Sequence, residues 1–560
     1  MINYSIIFNV ISLIRKQIFD FYQSKFCKQK NTIRIYNIFI LILTIAIILI
    51  LFKFASITNI NSDYVQNVLE VTSILHGNIF LHGWTLASDN FYLSDNPFFL
   101  LGRLIWGRSA AGIYVPPFLI YVFLLASALL IVNLCSDNFE SKIIGYFAIL
   151  FYIATPGMQS LAPVVFVGAQ HIAVLAFCLY GWSVLDRIQK TNKNFILIIL
   201  YVLCIFIVFF SDPLGSMMFM PPTLIGLYFA FVASIRSNIQ VIMGGITLAV
   251  FLFAHLVLFM LHEAGGFTIA QSFNLNFVSA ANFGQNIEGE LFGLLHLSGA
   301  YFFGRPAQNF RTVVSVIRLV GLGIMGAAMI TALRRGLRGN EGWNLRFVLA
   351  IAVLVDLASS AVSATFNVAL VPSVLDGGAA VRYLTPAILF GGLLVALELP
   401  TLMKQAPNRK ARIGYIALST GGVIATTSVF LMHGVWRWHD RPAVTQSSSA
   451  VVGKWLFENG LTRGVGPYWN ASIITAVSGQ RVLVRAVINQ NGHLIPFNWL
   501  SNSKWYSKRK PQFVIYVKNN QFGVNSKTIK ETYGSPLSTL TQDGYEIAIF
   551  EPHHGAGSAP

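Results

Sequence analysis

The sequence predicts an α-helical polytopic membrane protein of about eleven spans, followed by a C-terminal α/β domain outside the membrane. Three observations predict it. The 560 residues are 55% hydrophobic and only 11% charged, about half the charged fraction of a soluble domain. Apolar runs long enough to cross a bilayer recur along most of the chain. After residue 432 the pattern changes to polar sequence in which helix-like and strand-like runs alternate.

The first segment, residues 1–36, reads as a cytoplasmic amphipathic piece. Ile6 to Tyr22 would lie in the membrane plane with Arg15 and Lys16 on its polar side. Spans are expected near 37–56, 113–135, 141–156, 163–185, 195–211, 217–235, 240–262, 312–333, 347–366, 383–400 and 412–432. Together with their connections they make a membrane domain over 37–432. The net charge of +17 needs no nucleic acid to explain it, because the cations cluster in alternate short loops. Arg187, Lys190, Arg236, Arg334, Arg335, Lys404 and Arg409 belong to one set, and Lys25, Lys28 and Arg34 precede the first span. The positive-inside rule therefore puts the N-terminus in the cytoplasm and residues 433–560 outside. Cys27, Cys135, Cys178 and Cys204 all precede residue 433, so the outer C-terminal domain has no disulfide. Its expected helix is Ala450 to Glu458 and its expected strands are Arg481 to Ile488, Gln512 to Val517 and Tyr545 to Phe550, with a disordered tail from Pro552.

Two further outer segments, 57–112 and 263–311, are long. The first opens on Asn61-Ser62-Asp63-Tyr64. As a helix it puts Tyr64, Val68, Val71 and Leu75 on one stripe and Asp63, Gln66, Asn67, Glu70 and Ser73 on the other. Asp63 and Glu70 would share a face roughly 10 Å apart along the axis, at the lipid–water boundary. Asp95-Asn96-Pro97 then starts a second short helix. The second outer segment contains an amphipathic piece, Ile287 to Tyr301, with Glu288 and Glu290 expected in solvent.

Asp63 is the leading candidate for chemistry. A carboxylate just past a span end costs little, so position alone leaves it as readily a solvated loop acid. The long aromatic loop after it, with Asp89 and Asp95, favours a site. Arg382, beside Tyr383 at the outer mouth of a span, can hold a lipid phosphate with its planar fork, or serve as an interfacial anchor. Asp212 caps the fifth span and His171 stands in or at the head of the fourth; with Glu70 and Asp95 they are candidate site-lining residues. Trp84, Phe91, Tyr92 and Trp469 are candidate sugar or lipid contacts. Asp356 and Arg318 lie inside spans, where a charge costs about 2.5–3.5 kcal/mol, so they are expected to pair, with a proton relay as the alternative. His76 and His82 with Asp63 are the residues from which a divalent metal site would be built, at a spacing that matches no metal motif. No other cofactor is called for. A phosphate loop and a nucleophile elbow are both missing, which sets aside nucleotide hydrolysis and serine acyl transfer.

The combination resembles the GT-C superclass of membrane glycosyltransferases, in particular the protein O-mannosyltransferases and the aminoarabinose transferases of lipid A. The residues that carry the resemblance are Asp63 at the head of an outer helix, Gly77 at its end, Pro97 leading a second helix, and Arg382-Tyr383-Leu384-Thr385-Pro386. Tyr64 stands where many members have a second acid. The resemblance implies a polyprenyl-phosphate sugar donor, a glycan, lipid or protein acceptor, and a bacterial inner membrane with the C-terminal domain in the periplasm. It assigns catalysis to Asp63 and the donor phosphate to Arg382. Two other classes compete. A flippase of lipid-linked glycans would depend on Asp356 and Arg318, and a non-catalytic polysaccharide-assembly protein on residues 433–560.

Overall fold

The computed structural model describes residues 44–57, 60–136, 138–155, 171–191, 194–233, 238–270, 276–338, 342–364, 379–405, 422, 443–506 and 510–550. The expected amphipathic piece at Ile6 to Tyr22, the eleventh span at 412–432 (Gly422 apart) and the tail from Pro552 lie outside the described residues. Residues up to Leu51 form one unit and Phe52–Pro560 another; every residue of the candidate site belongs to the larger unit.

Helix α1 covers Thr44–Ile57. Asn61 caps α2, Ser62–Leu75, by accepting from the Tyr64 amide. Helix α3, Asn96–Trp106, has its proline at the first turn, where the missing amide hydrogen costs nothing. Next come α4 Ala111–Cys135 and α5 Phe139–Ile149, the latter running into a π-helical turn, Leu150–Ala154. Helices α6 Ile172–Thr191, α7 Phe195–Ser211, α8 Pro213–Ala233 and α9 Asn238–Glu263 come after it. The second outer segment holds α10, Ala280–Leu297. Then come α11 Phe310–Leu337, α12 Leu345–Val362, a 3-10 turn at Ala379–Leu384 and α13 Thr385–Lys404.

Seven helices among the described residues are long and apolar enough to cross a membrane: α4, α6, α8, α9, α11, α12 and Val381–Lys404, the last taking in part of the 3-10 turn. The protein is a multi-pass membrane protein on that count. Helix α7 is apolar but has 17 residues. Of the fourth expected span, residues 163–170 lie outside the described residues; helix α6 begins at Ile172, with His171 just ahead of it.

Residues 443–550 carry α14 Ser448–Glu458, α15 Tyr468–Val477 and α16 Ser526–Tyr533. They pack on a six-stranded mixed sheet of order β5-β4-β3-β7-β9-β8. Its strands are β3 Arg463–Gly466, β4 Leu483–Gln490, β5 His493–Pro496, β7 Phe513–Tyr516, β8 Ser538–Gln542 and β9 Tyr545–Ile549. The centre is parallel: Val465 pairs with both Arg485 and Val514. Buried Val484, Phe513, Ile515 and Ile547 form its core together with Leu456 and Ile474 of the helices. A second, three-stranded sheet joins distant parts of the chain. Strand β1, Trp84–Leu86, lies between β2, Thr268–Ile269, and β6, Ser501–Asn502. Segments 57–112 and 263–311 and the C-terminal domain thus share backbone hydrogen bonds.

Three expectations are corrected. The polar face of helix α2 is not wet, because Gln66, Asn67 and Glu70 are as buried as Val68 and Val71. Asn96 of α3 covers two of these groups: it accepts from the Asn67 amide and donates to Glu70, each at 2.9 Å. Arg318 and Asp356 do not pair. Arg318 donates to the Ser298 and Thr155 carbonyls at 2.8 and 2.5 Å, while Asp356 accepts from the Ala387 amide at 2.8 Å. The π turn ends at Ala154, and the guanidinium takes the carbonyl just beyond it. Glu288 is exposed as expected, but Glu290 is buried on the inner face of α10.

Candidate functional site

The site forms where the head of α2, the loop after β1, the head of α6, the α7–α8 junction, the 3-10 turn and α15 converge. Asp63 is in the first turn of α2 and half-buried. Its Oδ1 accepts a short hydrogen bond, 2.5 Å, from the Tyr468 hydroxyl at the start of α15. Burial raises the Asp63 pKa above the ordinary carboxyl value, against the opposing pull of Tyr468 and then of Arg382. Arg382 therefore stands within electrostatic reach of Asp63 and also of Asp89. Its guanidinium lies over the Tyr383 ring, 5.1 Å from the centroid, and donates to the Tyr383 hydroxyl at 3.2 Å.

Two donors here have nothing to donate to. The Arg382 Nε and the Thr385 hydroxyl are buried without a hydrogen-bond partner among the described residues. A buried donor left unmade costs roughly 1–3 kcal/mol.

His171 and Asp212 form a dyad beside that corner. The imidazole Nδ1 meets the Asp212 carboxylate at 2.6 Å, and the ring packs near Phe91 and Tyr383. Asp212 also accepts from the Leu214 amide at 2.8 Å, so it caps the turn into α8 as well as holding the imidazole. Burial lowers the His171 pKa, but Asp212 and then Asp89 more than offset it, and the ring holds its proton above the usual range. His171 has φ of 68°, a left-handed conformation unusual for histidine and of the kind that clusters at functional sites. Asp89 itself is raised by burial first, with His171 drawing it down.

The expected site residues divide into two groups. Asp63, Arg382, Tyr383, His171 and Asp212 come together. Glu70 and Asp95 do not join them; they belong to the buried polar seam between α2 and α3, where Asp95 accepts from the Ser94 hydroxyl at 2.7 Å. The aromatics are redistributed too. Trp84 is buried against Trp505 and donates to Ser73, and the Tyr92 hydroxyl donates to the Ile79 carbonyl, while Trp469 is exposed. Tyr468 is the site residue that the sequence does not point to; its only local signal is Pro467 at a helix cap.

The metal arrangement drawn from His76, His82 and Asp63 is not formed. The His82 Nδ1 bonds the Gly265 carbonyl and the His76 Nδ1 bonds the Thr72 carbonyl, which fixes each ring by one of its two nitrogens. Among the described residues no group of three or more His, Cys, Asp or Glu side chains is placed to hold a metal ion.

No protein-family model matches the chain. No curated protein matches it either. Among solved structures it is similar to the oligosaccharyltransferase of Archaeoglobus fulgidus. With that enzyme's complex with Zn and sulfate it shares 12% identity at a TM-score of 0.46, over 85% of this chain and 68% of the other. With the form tethered to an acceptor peptide containing the NVT sequon it shares 13% identity at a TM-score of 0.44, over 83% and 64%. The chain thus spans about two thirds of that protein's length.

Proposed function

We propose that this protein is a membrane glycosyltransferase. It moves a sugar from a polyprenyl-phosphate carrier to a lipid-linked glycan, a surface glycan or a protein at the outer face of the bacterial inner membrane. The observation that supports the reading is one carboxylate, Asp63, within electrostatic reach of one cation, Arg382, whose buried Nε has no partner among the described residues. A polyprenyl phosphate leaves without help from a general acid, so the reaction needs a base for the acceptor and a cation for the departing charge. Asp63 takes the proton of the acceptor hydroxyl as the acceptor oxygen bonds to the anomeric carbon. The bond from that carbon to the phosphate oxygen breaks, and the electron pair leaves on the phosphate. Arg382 and the Thr385 hydroxyl receive that charge. One direct displacement inverts the anomeric centre.

Arg318, on which a flippase would rely, donates to two backbone carbonyls, and Asp356 accepts from the Ala387 amide through Oδ2 while its buried Oδ1 has no partner among the described residues. The test is incubation of the purified protein with a panel of radiolabelled polyprenyl-phosphate sugars and envelope glycolipid acceptors. Consumption of one donor, with an inverted product, is the expected result. A panel left intact would overturn the proposal.

A further inference from the structure

Helices α2 and α15 are pinned side by side at both ends, although Ser62 and Tyr468 are 406 positions apart in the sequence. At one end the Ser62 hydroxyl donates to the Tyr468 carbonyl at 2.5 Å. At the other the Gln480 amide, just past α15, donates to the Thr72 hydroxyl at 2.8 Å. The bonds run in the same order along both helices, so the register of α15 on α2 is fixed over the full length of the contact. Tyr468 is 2% exposed, and its ring is held among Trp469, Phe497 and Phe522 at centroid distances of 5.0 to 6.0 Å. A phenol has one hydrogen to donate, and here it is spent on Asp63 Oδ1.

We propose that Tyr468 is a positioning residue for Asp63: its phenol occupies Oδ1 and fixes the carboxylate plane, so that Oδ2 is the oxygen presented to the acceptor. This rests on the reading of Asp63 as the base. The C-terminal domain then completes the site, because the helix that carries Tyr468 is built on its sheet. Burial keeps the Tyr468 pKa well above the ordinary value for a phenol, so the hydroxyl remains a donor throughout the working pH range and does not compete as a base. The charged and titratable groups facing Asp63 are Tyr468 from α15 and Arg382 from the 3-10 turn; on its own helix, Glu70 acts on Tyr468. Both facing groups favour the carboxylate, so loss of the phenol must raise the Asp63 pKa.

The test uses full-length protein in lipid nanodiscs. The Asp63 carboxyl is titrated by infrared difference spectroscopy, with the Asp63→Asn spectrum subtracted. Tyr468→Phe keeps the ring packing and removes the hydrogen bond. Its inflection is expected to move up by about one pH unit. Its kcat/KM for sugar transfer is expected to fall roughly 10- to 100-fold, with the acid limb of the pH profile displaced the same way. Gln480→Ala loosens the far end of the same helix pair and is expected to leave the inflection in place. An unmoved inflection in Tyr468→Phe, or an equal movement in Gln480→Ala, overturns the positioning role. A shifted inflection in a protein whose wild type transfers no sugar overturns the base reading instead and keeps the Tyr468–Asp63 contact.

Discussion

Arg382 is the residue whose identity matters most after Asp63. Its planar fork lies on Tyr383 while the Nε has no partner among the described residues, an arrangement lysine cannot reproduce. Arg382→Gln is expected to weaken donor binding roughly 10- to 100-fold, the worth of a charge-assisted hydrogen bond. Arg382→Lys should recover only part of it, and equilibrium binding of a short-chain polyprenyl phosphate measures both. Glu70 predicts a different effect, on stability. Burial pushes its carboxyl up to about 8, against the Asn96 hydrogen bond, so the folded state holds a proton that the unfolded chain releases near pH 4.5. Stability from this group is complete below the unfolded value and is lost as pH rises toward and through 8. Glu70→Gln, which imitates the neutral acid, should therefore melt higher than wild type near pH ~9 and about equally near pH ~5. The two residues also show what a sequence discloses. Asp63 and Arg382 stand out because charge is scarce in an apolar chain. Glu70 looks like a surface acid on an amphipathic helix, since nothing local announces that Asn96 will cover it.

The elements were legible where they are long and periodic. Helices α4, α7, α8, α9, α11, α12 and α13 lie within a few residues of the expected spans, and strands β4, β7 and β9 match their alternating runs. The missed strands have no such pattern. β3 is Arg-Gly-Val-Gly, and its glycines are there because neighbours press on them. A Cβ at Gly466 would lie 2.6 Å from the Ile515 carbonyl oxygen, and one at Gly464 would lie 2.3 Å from the Phe513 ring. Gly466→Ala is expected to destabilise the protein by about 1–3 kcal/mol, since backbone must move to admit the methyl; a lowered Tm with unchanged donor affinity checks it. Strands β1, β2 and β6 have two or three residues each, too few for any period to register. Their pairing is decided by distant packing, Trp84 edge-on to Trp505 at 4.7 Å and Arg485 over the Trp505 ring at 4.0 Å.

At the scale of the whole molecule, the site is assembled from pieces hundreds of residues apart. A single sequence cannot display that Tyr468 meets Asp63, because the contact depends on how α15 docks on α2. What the sequence does carry is an uneven distribution of cations among its loops, from which the sidedness is proposed. The proposed topology puts the C-terminal domain outside. A cysteine introduced at Asn519, in a cysteine-free background, is therefore expected to react with a membrane-impermeant maleimide added to spheroplasts; labelling only after lysis would reverse the assignment.

The central claim is that Asp63 is the base for sugar transfer, and its most direct test compares wild type with Asp63→Asn in the transfer assay. The amide keeps an oxygen for the Tyr468 hydroxyl, so the variant retains the α2–α15 contact and its melting temperature controls for folding. Wild type is expected to consume a polyprenyl-phosphate donor, while the folded Asp63→Asn loses at least about a hundredfold in rate. Equal rates in the two proteins would contradict the claim.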